Sequence, residues 1–384
     1  MVCDGSVESV RSVAWALAEA LSGGAAVLPV PAAEHERLVV AAEPDVESGA
    51  AALVATSGSA GEPKLVELPA AALTVSAEAT HERLGGAGRW LLALPVRHIA
   101  GLQVLVRSAL AGIDPVVLDL RRGFRAGAFT DAAGAVLSQR GPRYTALVPT
   151  QLTRLLDAGG TALDALRGFD AVLIGGAASP PALIDRARQA GARVITTYGM
   201  TETAGGCVYD GRALGGVRVR VDAQQRIHIG GPTLATGYRL RPELTAATFT
   251  GGWVSTGDFG RVHEDGTLDV LGRGDDVIIT GGEKVPAELV KRAIEASPAV
   301  IESCVVGLAD PYWGQLVAAA VVAAPACVPD VGELRASVRE LAGPAAVPKL
   351  IEFVPRLPRH GIGKVDREAV RRYLAERQAN RSRL

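Results

Sequence analysis

Residues 171–197 constrain the fold more than any other segment. Ala171-Val172-Leu173-Ile174 is a short apolar run and reads as a strand. Gly175-Gly176-Ala177-Ala178 follows as a loop. Ser179 suits a helix N-cap and Pro180 the first helical position of a run to Gln189. Gly191 ends that helix, and Arg193-Val194-Ile195-Thr196-Thr197 reads as a second strand. Strand, helix and strand in one short span form a βαβ unit, so the two strands are parallel. The loops 175–179 and 198–203 then leave the same sheet edge, where open α/β sheets bind ligands. Tyr144-Thr145-Ala146-Leu147-Val148, followed by Pro149-Thr150-Gln151 and a helix to Asp157, reads as a neighbouring strand that brings a third loop there.

The rest of the chain divides around that unit. Residues 7–21 carry Val10, Val13, Leu17 and Leu21 at helical spacing. Residues 36–50 read as irregular and acidic, and strands alternate with helices from Ala51 onward. Around Gly205 the texture changes. Between 215 and 271 the expected elements are strands at 217–221, 226–229, 253–254 and 267–271, forming a β-rich subdomain, a small barrel. The glycine-rich stretch 272–282, with adjacent Asp275 and Asp276, reads as a linker. Beyond it come a helix at 286–296, strands at 302–307 and 315–323, a helix at 331–341, a strand at 350–354 and a helix at 367–378, then a fraying tail. The expected fold class is α/β: a large N-terminal domain of parallel and mixed sheets plus the β-rich subdomain over 1–274, and a small, mobile α+β C-terminal domain over 275–384.

Composition excludes several functions. The 384 residues are enough for two or three domains. Forty basic residues against 41 acidic ones leave a formal net charge of -1, which argues against a dedicated nucleic-acid or anionic-membrane binder. Aromatics are only 4%, too few for a stacking platform for single-stranded nucleic acid. Cys3, Cys207, Cys304 and Cys327 are scattered without metal-ligand or redox spacing, as reduced thiols of a cytoplasmic protein would be. The N-terminus lacks the basic region of a secretory signal. The most apolar run, 316–328, falls short of the about 20 residues that span a bilayer and contains Pro325, so no membrane insertion is expected. A homodimer is compatible with all of this.

Five segments carry chemistry. The first is Thr56-Ser57-Gly58-Ser59-Ala60-Gly61-Glu62-Pro63-Lys64, directly after the apolar strand 51–55. Its unblocked N–H groups and hydroxyls suit a polyphosphate, its glycines allow close approach, and Lys64 adds a point charge. It is not a Walker A loop, because Lys64 follows Pro63 and precedes Leu65. The others are Tyr198-Gly199-Met200-Thr201-Glu202-Thr203, Ser255-Thr256-Gly257-Asp258, Gly272-Arg273-Gly274-Asp275-Asp276 and Gly361-Ile362-Gly363-Lys364-Val365-Asp366-Arg367. In this order they resemble the acyl-adenylate-forming superfamily of acyl-CoA synthetases, peptide-synthetase adenylation domains and firefly luciferase, over about residues 51–367. Leu91-Leu92-Ala93-Leu94-Pro95-Val96-Arg97-His98-Ile99-Ala100-Gly101-Leu102 and the short length are similar in texture to the o-succinylbenzoate–CoA ligases of menaquinone biosynthesis.

The resemblance implies ATP, Mg²⁺ and coenzyme A as cofactors, a small-molecule carboxylic acid as substrate, and a role for each segment. Thr56, Ser57, Gly58, Ser59, Gly61 and Lys64 hold the β- and γ-phosphates, although Ala60 and Leu65 stand where the family has Thr and Gly. Gly175, Gly176 and Ala177 wall the adenine, and Tyr198, beside Gly199 and Met200, stacks on it. Thr201 bonds the α-phosphate, and Glu202 is a hard oxygen ligand for Mg²⁺. Asp258 accepts both ribose hydroxyls, as one bidentate carboxylate can, and Arg273 is the second ribose contact. His98 gates the acyl side, while Arg97 departs from the His or aromatic residue of related ligases. Asp275 is the hinge, Gly281 and Gly282 line the pantetheine channel after rotation, and Lys364 stabilises charge at the α-phosphate during adenylation. Arg107, Arg143, Thr150 and Gln151 stand as unranked partners for a second substrate carboxylate. The implied reaction joins o-succinylbenzoate to CoA through an acyl-AMP. Other readings are a CoA ligase for another acid, an adenylation domain loading a carrier protein, and a non-catalytic nucleotide-binding module.

Overall fold

The computed structural model describes residues 1–42, 49–57, 63–325, 327–360 and 364–381. Its centre is a seven-stranded sheet in the order Val116–Val117, Arg89–Leu92, Arg143–Leu147, Ala171–Ile174, Val194–Met200, Gly205–Tyr209 and Arg212–Ala213. The first five strands are parallel, and the last two turn back antiparallel. Side chains alternate between two cores as the strand period of two requires. Leu92, Ala171 and Leu173 face a core shared with the helices Val7–Leu21, Ala70–Leu84 and Ile99–Ala111. Leu91, Val172 and Ile174 face one shared with Ala126–Leu137, Pro149–Ala158, Gly160–Arg167 and Pro181–Gln189. The sheet is therefore a middle layer between helices, and its loops open at one edge.

The β-rich part is a five-stranded antiparallel sheet in the order Arg218–Val221, Arg226–Gly230, Trp253–Val262, Phe249–Thr250, with Leu268–Arg273 also paired to Trp253–Val262. Its strand order has open ends, so it is a branched sheet and not the expected small barrel. A separate three-stranded sheet joins Ala52–Ser57, Pro63–Leu68 and Gly237–Tyr238.

From residue 277 a further five-stranded sheet runs in the order Glu283–Pro286, Val277–Thr280, Gly314–Ala323, Val300–Asp310, with Leu350–Phe353 parallel to Gly314–Ala323. Val305, Val317, Ala319 and Val321 pack under the helices Ala287–Glu295 and Val331–Ala342. Val306, Leu308, Ala318 and Ala320 pack under Val370 and Leu374 of the helix Arg367–Arg381.

Several expectations shift. The helix after the first βαβ strand starts at Pro181 with Pro180 as its cap, one residue later than Ser179 and Pro180 imply, and no side chain caps it. His35–Ala42 is helical where an irregular stretch is expected, because Leu38 and Ala42 bury themselves beside Leu53 and Leu65. Pro242–Thr248 is a helix inside the β-rich region, opened by its proline. The expected linker is built into strands: Gly272 and Arg273 end one, Gly274–Asp276 is a 3-10 turn, and Val277–Thr280 is the next. The last helix reaches Arg381, so the described tail does not fray after Gln378.

Candidate active site

The strand Val194–Met200 outruns its parallel neighbour. Only residues 194–196 pair with 172–174, and the rest pairs antiparallel with Gly205–Tyr209. This carries Tyr198 through Glu202 to the open sheet edge. The return is tight: a Cβ on Gly199 would lie 2.1 Å from the Gly205 carbonyl oxygen. Thr201–Thr203 forms a 3-10 turn, in which the Thr203 hydroxyl accepts the Met200 N–H (3.0 Å) and donates toward the Gly205 carbonyl (2.8 Å). Ala204 is left-handed, with φ 50°, a costly conformation for a residue with a Cβ. Two buried side chains hold it: Gln103 Nε2 donates to the Ala204 carbonyl at 2.8 Å, and Ser76 Oγ donates at 3.1 Å.

On one side of this turn lies a carboxylate suited to a diol. The buried Asp258 on Trp253–Val262 accepts the Tyr198 hydroxyl at 2.8 Å, from 60 residues away in sequence. Arg273, its ladder partner, places Nε 3.7 Å from the other carboxylate oxygen. Burial, and then the Asp258 charge, push the Tyr198 phenol far above the usual tyrosine range, so it remains a donor. Gly175, Gly176 and Ala177 line the adjacent loop. A Cβ on Gly175 would meet Thr197 Oγ1 at 2.2 Å, and Gly176 has φ 75°.

On the other side stands a charged cluster. Thr56 pairs with Lys64 across the hairpin, its hydroxyl donating to the Lys64 carbonyl at 3.4 Å. Ser57 ends the first strand, while Gly58, Ser59 and Gly61 lie outside the described residues. Lys64 Nζ sits 3.6 Å from Glu202 Oε1 and donates to the Tyr238 hydroxyl at 3.1 Å, and that hydroxyl donates to Glu202 Oε1 at 2.8 Å. Thr201 and Glu202 are buried beside it. Tyr238 escapes a reading of the sequence, because its strand is two residues long and no motif marks it. Among the described residues no three His, Cys, Asp or Glu side chains converge as a metal cage. A single carboxylate fits Mg²⁺ that arrives with phosphate oxygens as its other ligands.

His98, the expected acyl-side residue, is the N-cap residue of the helix Ile99–Ala111. His98 is exposed. Desolvation, and then the Arg97 charge, lower its pKa. Ile99, Gln103 and Arg107 form one stripe of that helix and run along Gly205–Tyr209. A Cβ on Gly205 would touch Gln103 and Ile99, and Arg107 Nη2 donates to the Tyr209 hydroxyl at 3.4 Å. Arg107 is buried and stacks over Trp90 at 5.0 Å; among the described residues it has no carboxylate partner and its Nε has no hydrogen-bond partner. In the C-terminal part, Gly281 and Gly282 form the turn between Val277–Thr280 and Glu283–Pro286, both at positive φ. Gly281 donates its N–H to the Trp313 carbonyl at 2.9 Å. Lys364 opens the strand Lys364–Val365, paired with Arg359–His360.

An AMP-binding enzyme family model matches residues 8–252, and a model of the AMP-binding enzyme C-terminal domain matches residues 290–364. The chain belongs to the AMP-binding enzyme family. It is similar to a probable 2-succinylbenzoate–CoA ligase of Mycobacterium tuberculosis, with 47% identity over 370 residues covering 94% of this chain and 95% of that protein. A 2-succinylbenzoate–CoA ligase of Geobacillus kaustophilus is 33% identical over 391 residues, 93% of this chain and 76% of that protein. Among solved structures, the fold is similar to o-succinylbenzoate CoA synthetase (MenE) from Bacillus subtilis in complex with the acyl-adenylate intermediate OSB-AMP. That match has a TM-score of 0.70 and 28% identity, and covers 83% of this chain and 68% of that one. The amide bond synthetase McbA from Marinactinospora thermotolerans matches with a TM-score of 0.75 and 29% identity, covering 85% and 69%.

Proposed function

We propose that this enzyme is an ATP-dependent 2-succinylbenzoate–CoA ligase. One observation carries the reading. The 198–203 turn at the open edge of the central sheet meets a carboxylate suited to a diol on one side, Asp258 of the β-rich sheet, and on the other Lys64 of the three-stranded sheet, which pairs with Glu202 for a metal-bound triphosphate. In the first half-reaction a substrate carboxylate oxygen attacks the α-phosphorus of ATP, and pyrophosphate leaves. In the second, the CoA thiol attacks the acyl carbon of the mixed anhydride, loses its proton, and AMP leaves. Mg²⁺ supplies charge neutralisation on the triphosphate.

The chain's own residues orient and stabilise. Asp258 and Arg273 take the ribose, and Tyr198 with Gly175, Gly176 and Ala177 takes the adenine. Thr56, Ser57, Gly58, Ser59, Gly61 and Lys64 take the β- and γ-phosphates, Thr201 the α-phosphate, and Glu202 the metal. Lys364 meets the charge that develops at the α-phosphate. Asp275, in the 3-10 turn between the two sets of cores, is the hinge. Gly281 and Gly282 then line the pantetheine path. The three buried cysteines have no disulfide partner among the described residues, which fits a cytoplasmic enzyme.

The substrate's second carboxylate needs its own partner, and the four arginine, threonine and glutamine candidates now separate. Arg143 is committed to Asp170 at 3.1 Å. Gln151 spends its amide on the Val148 N–H and the Ala93 carbonyl, and Thr150 is exposed. Arg107 remains: a buried guanidinium without a carboxylate partner among the described residues, on the helix headed by His98. An uncompensated buried charge is costly, and an anionic substrate group relieves it. The test is pyrophosphate release across a panel of acids. o-Succinylbenzoate should exceed benzoate and 4-phenyl-4-oxobutanoate by orders of magnitude in kcat/KM, because an unpaired polar site rejects analogues lacking the matching group. Arg107→Gln should collapse that ratio. Comparable turnover of benzoate by the unaltered enzyme would overturn the substrate assignment.

A further inference from the structure

We propose that Tyr238 is the positioning residue of the metal-binding carboxylate. It fixes Glu202 by one oxygen, leaves the other toward the metal, and carries the Lys64 ammonium until the phosphates take it. This rests on the reading of Glu202 given above.

The hydrogen-bond directions are forced. An ammonium can only donate and an ionised carboxylate can only accept, so the phenol between them accepts from Lys64 (3.1 Å) and donates to Glu202 Oε1 (2.8 Å). Both contacts of Glu202 fall on Oε1; Oε2 receives no hydrogen bond from any described residue. The carboxylate is thus held in rotation with one oxygen open. The hydroxyl is itself well anchored. The N–H of Arg239, the next residue, donates to the Leu65 carbonyl at 2.8 Å. Buried Arg239 also bonds Glu67 (3.1 Å) and the Ala42 carbonyl (2.9 Å). The Tyr238 ring meets Phe249 edge-on at 5.7 Å. Lys64 lies over the same ring at 4.4 Å, beside the phosphate stretch, and its side chain is about a quarter exposed. Lys64 is therefore the most exposed member of the cluster. When a triphosphate draws it away, Tyr238 keeps Glu202 aimed, the task that hydrogen-bond partners perform for metal-ligating carboxylates.

The test uses the full chain and reads metal binding apart from turnover. Mn²⁺ replaces Mg²⁺, and its binding in the presence of a non-hydrolysable ATP analogue is followed by electron paramagnetic resonance. Tyr238→Phe keeps the ring and its packing. It should weaken Mn²⁺ binding about tenfold, while affinity for AMP measured without metal stays as in the unaltered enzyme. Glu202→Gln should weaken Mn²⁺ binding too, and Tyr238→Phe should add nothing in that background, because the two groups act as one. If Glu202→Gln weakens the metal but Tyr238→Phe does not, the positioning role is overturned while the metal role of Glu202 stands. An equal loss of metal-free AMP affinity in Tyr238→Phe would make the residue a plain structural support and overturn the proposal as well. If Glu202→Gln leaves Mn²⁺ affinity unchanged, the metal assignment itself fails and takes this inference with it.

Discussion

Arg97 is the residue whose sequence departure has a measurable consequence. It stands beside His98, and its charge adds to desolvation in lowering the imidazole pKa. The lowered pKa favours the neutral ring, which can accept or donate a hydrogen bond in the acyl-side role proposed for it. Arg97→Ala removes the smaller of the two causes. The His98 pKa should rise part of the way toward the ordinary histidine value of about 6.5, and the acid limb of the kcat/KM profile should move to higher pH. An unmoved limb in that profile would assign it to another group. The same shift has a stability sign. A histidine whose folded pKa is depressed binds its proton more readily unfolded, so stability is complete above the unfolded value and falls as pH drops through it. His81, desolvated and close to Arg107, contributes in the same direction.

At the scale of elements, the turn between Val194–Met200 and Gly205–Tyr209 holds the site together, and its glycines are steric requirements. Gly199→Ala would place a methyl 2.1 Å from the Gly205 carbonyl oxygen, and backbone cannot swing aside as a long side chain can. The two strands must part, moving Tyr198 and Glu202 from their partners. The expected result is a loss of about 1–3 kcal/mol of stability, read as a lower Tm, together with loss of ATP-dependent pyrophosphate release. Normal activity with an unchanged Tm would show that the approach is looser than described. This turn was legible in the sequence because Tyr-Gly-Met-Thr-Glu is local and follows a strand of a βαβ unit. So were Asp258 and its ladder partner Arg273, each in a short contiguous motif. Tyr238 was not legible. Its importance comes from a two-residue strand pairing with Pro63–Leu68, some 170 positions earlier, and no local pattern records such a pairing. The helices His35–Ala42 and Pro242–Thr248 were missed for a related reason. Each is a short helix whose apolar face is too small to show a period, and the first is fixed by burial against Leu53 and Leu65.

The whole molecule consists of two sets of hydrophobic cores, one ending at Leu268 and one beginning at Ile278. Between them the chain contacts itself through Arg292, which bonds Asp269 at 2.9 Å and the Val270 carbonyl, and through Gly272, which lets Glu288 of the helix Ala287–Glu295 come close. Asp269 and Arg292 are each about a third exposed, and such an ion pair contributes at most about 1 kcal/mol, too little to lock the two parts. The proposed rotation about Asp275 is compatible with these contacts, and it can be tested by measuring the two half-reactions separately. In that proposal Lys364 lies beyond the hinge and acts on the α-phosphate only in the adenylating arrangement. Lys364→Ala should cut acyl-AMP formation by about 10²–10³ in rate, while CoA thioester formation from pre-formed acyl-AMP continues. Asp275→Pro should do the reverse. Proline fixes φ near -65°, so rotation about this residue should be hindered. The two half-reactions, measured separately as pyrophosphate release and as thioester formation from acyl-AMP, should respond in opposite directions to the two substitutions. Equal losses in both steps for Lys364→Ala, or full thioester formation in Asp275→Pro, would mean that residues 275–384 do not turn about this point.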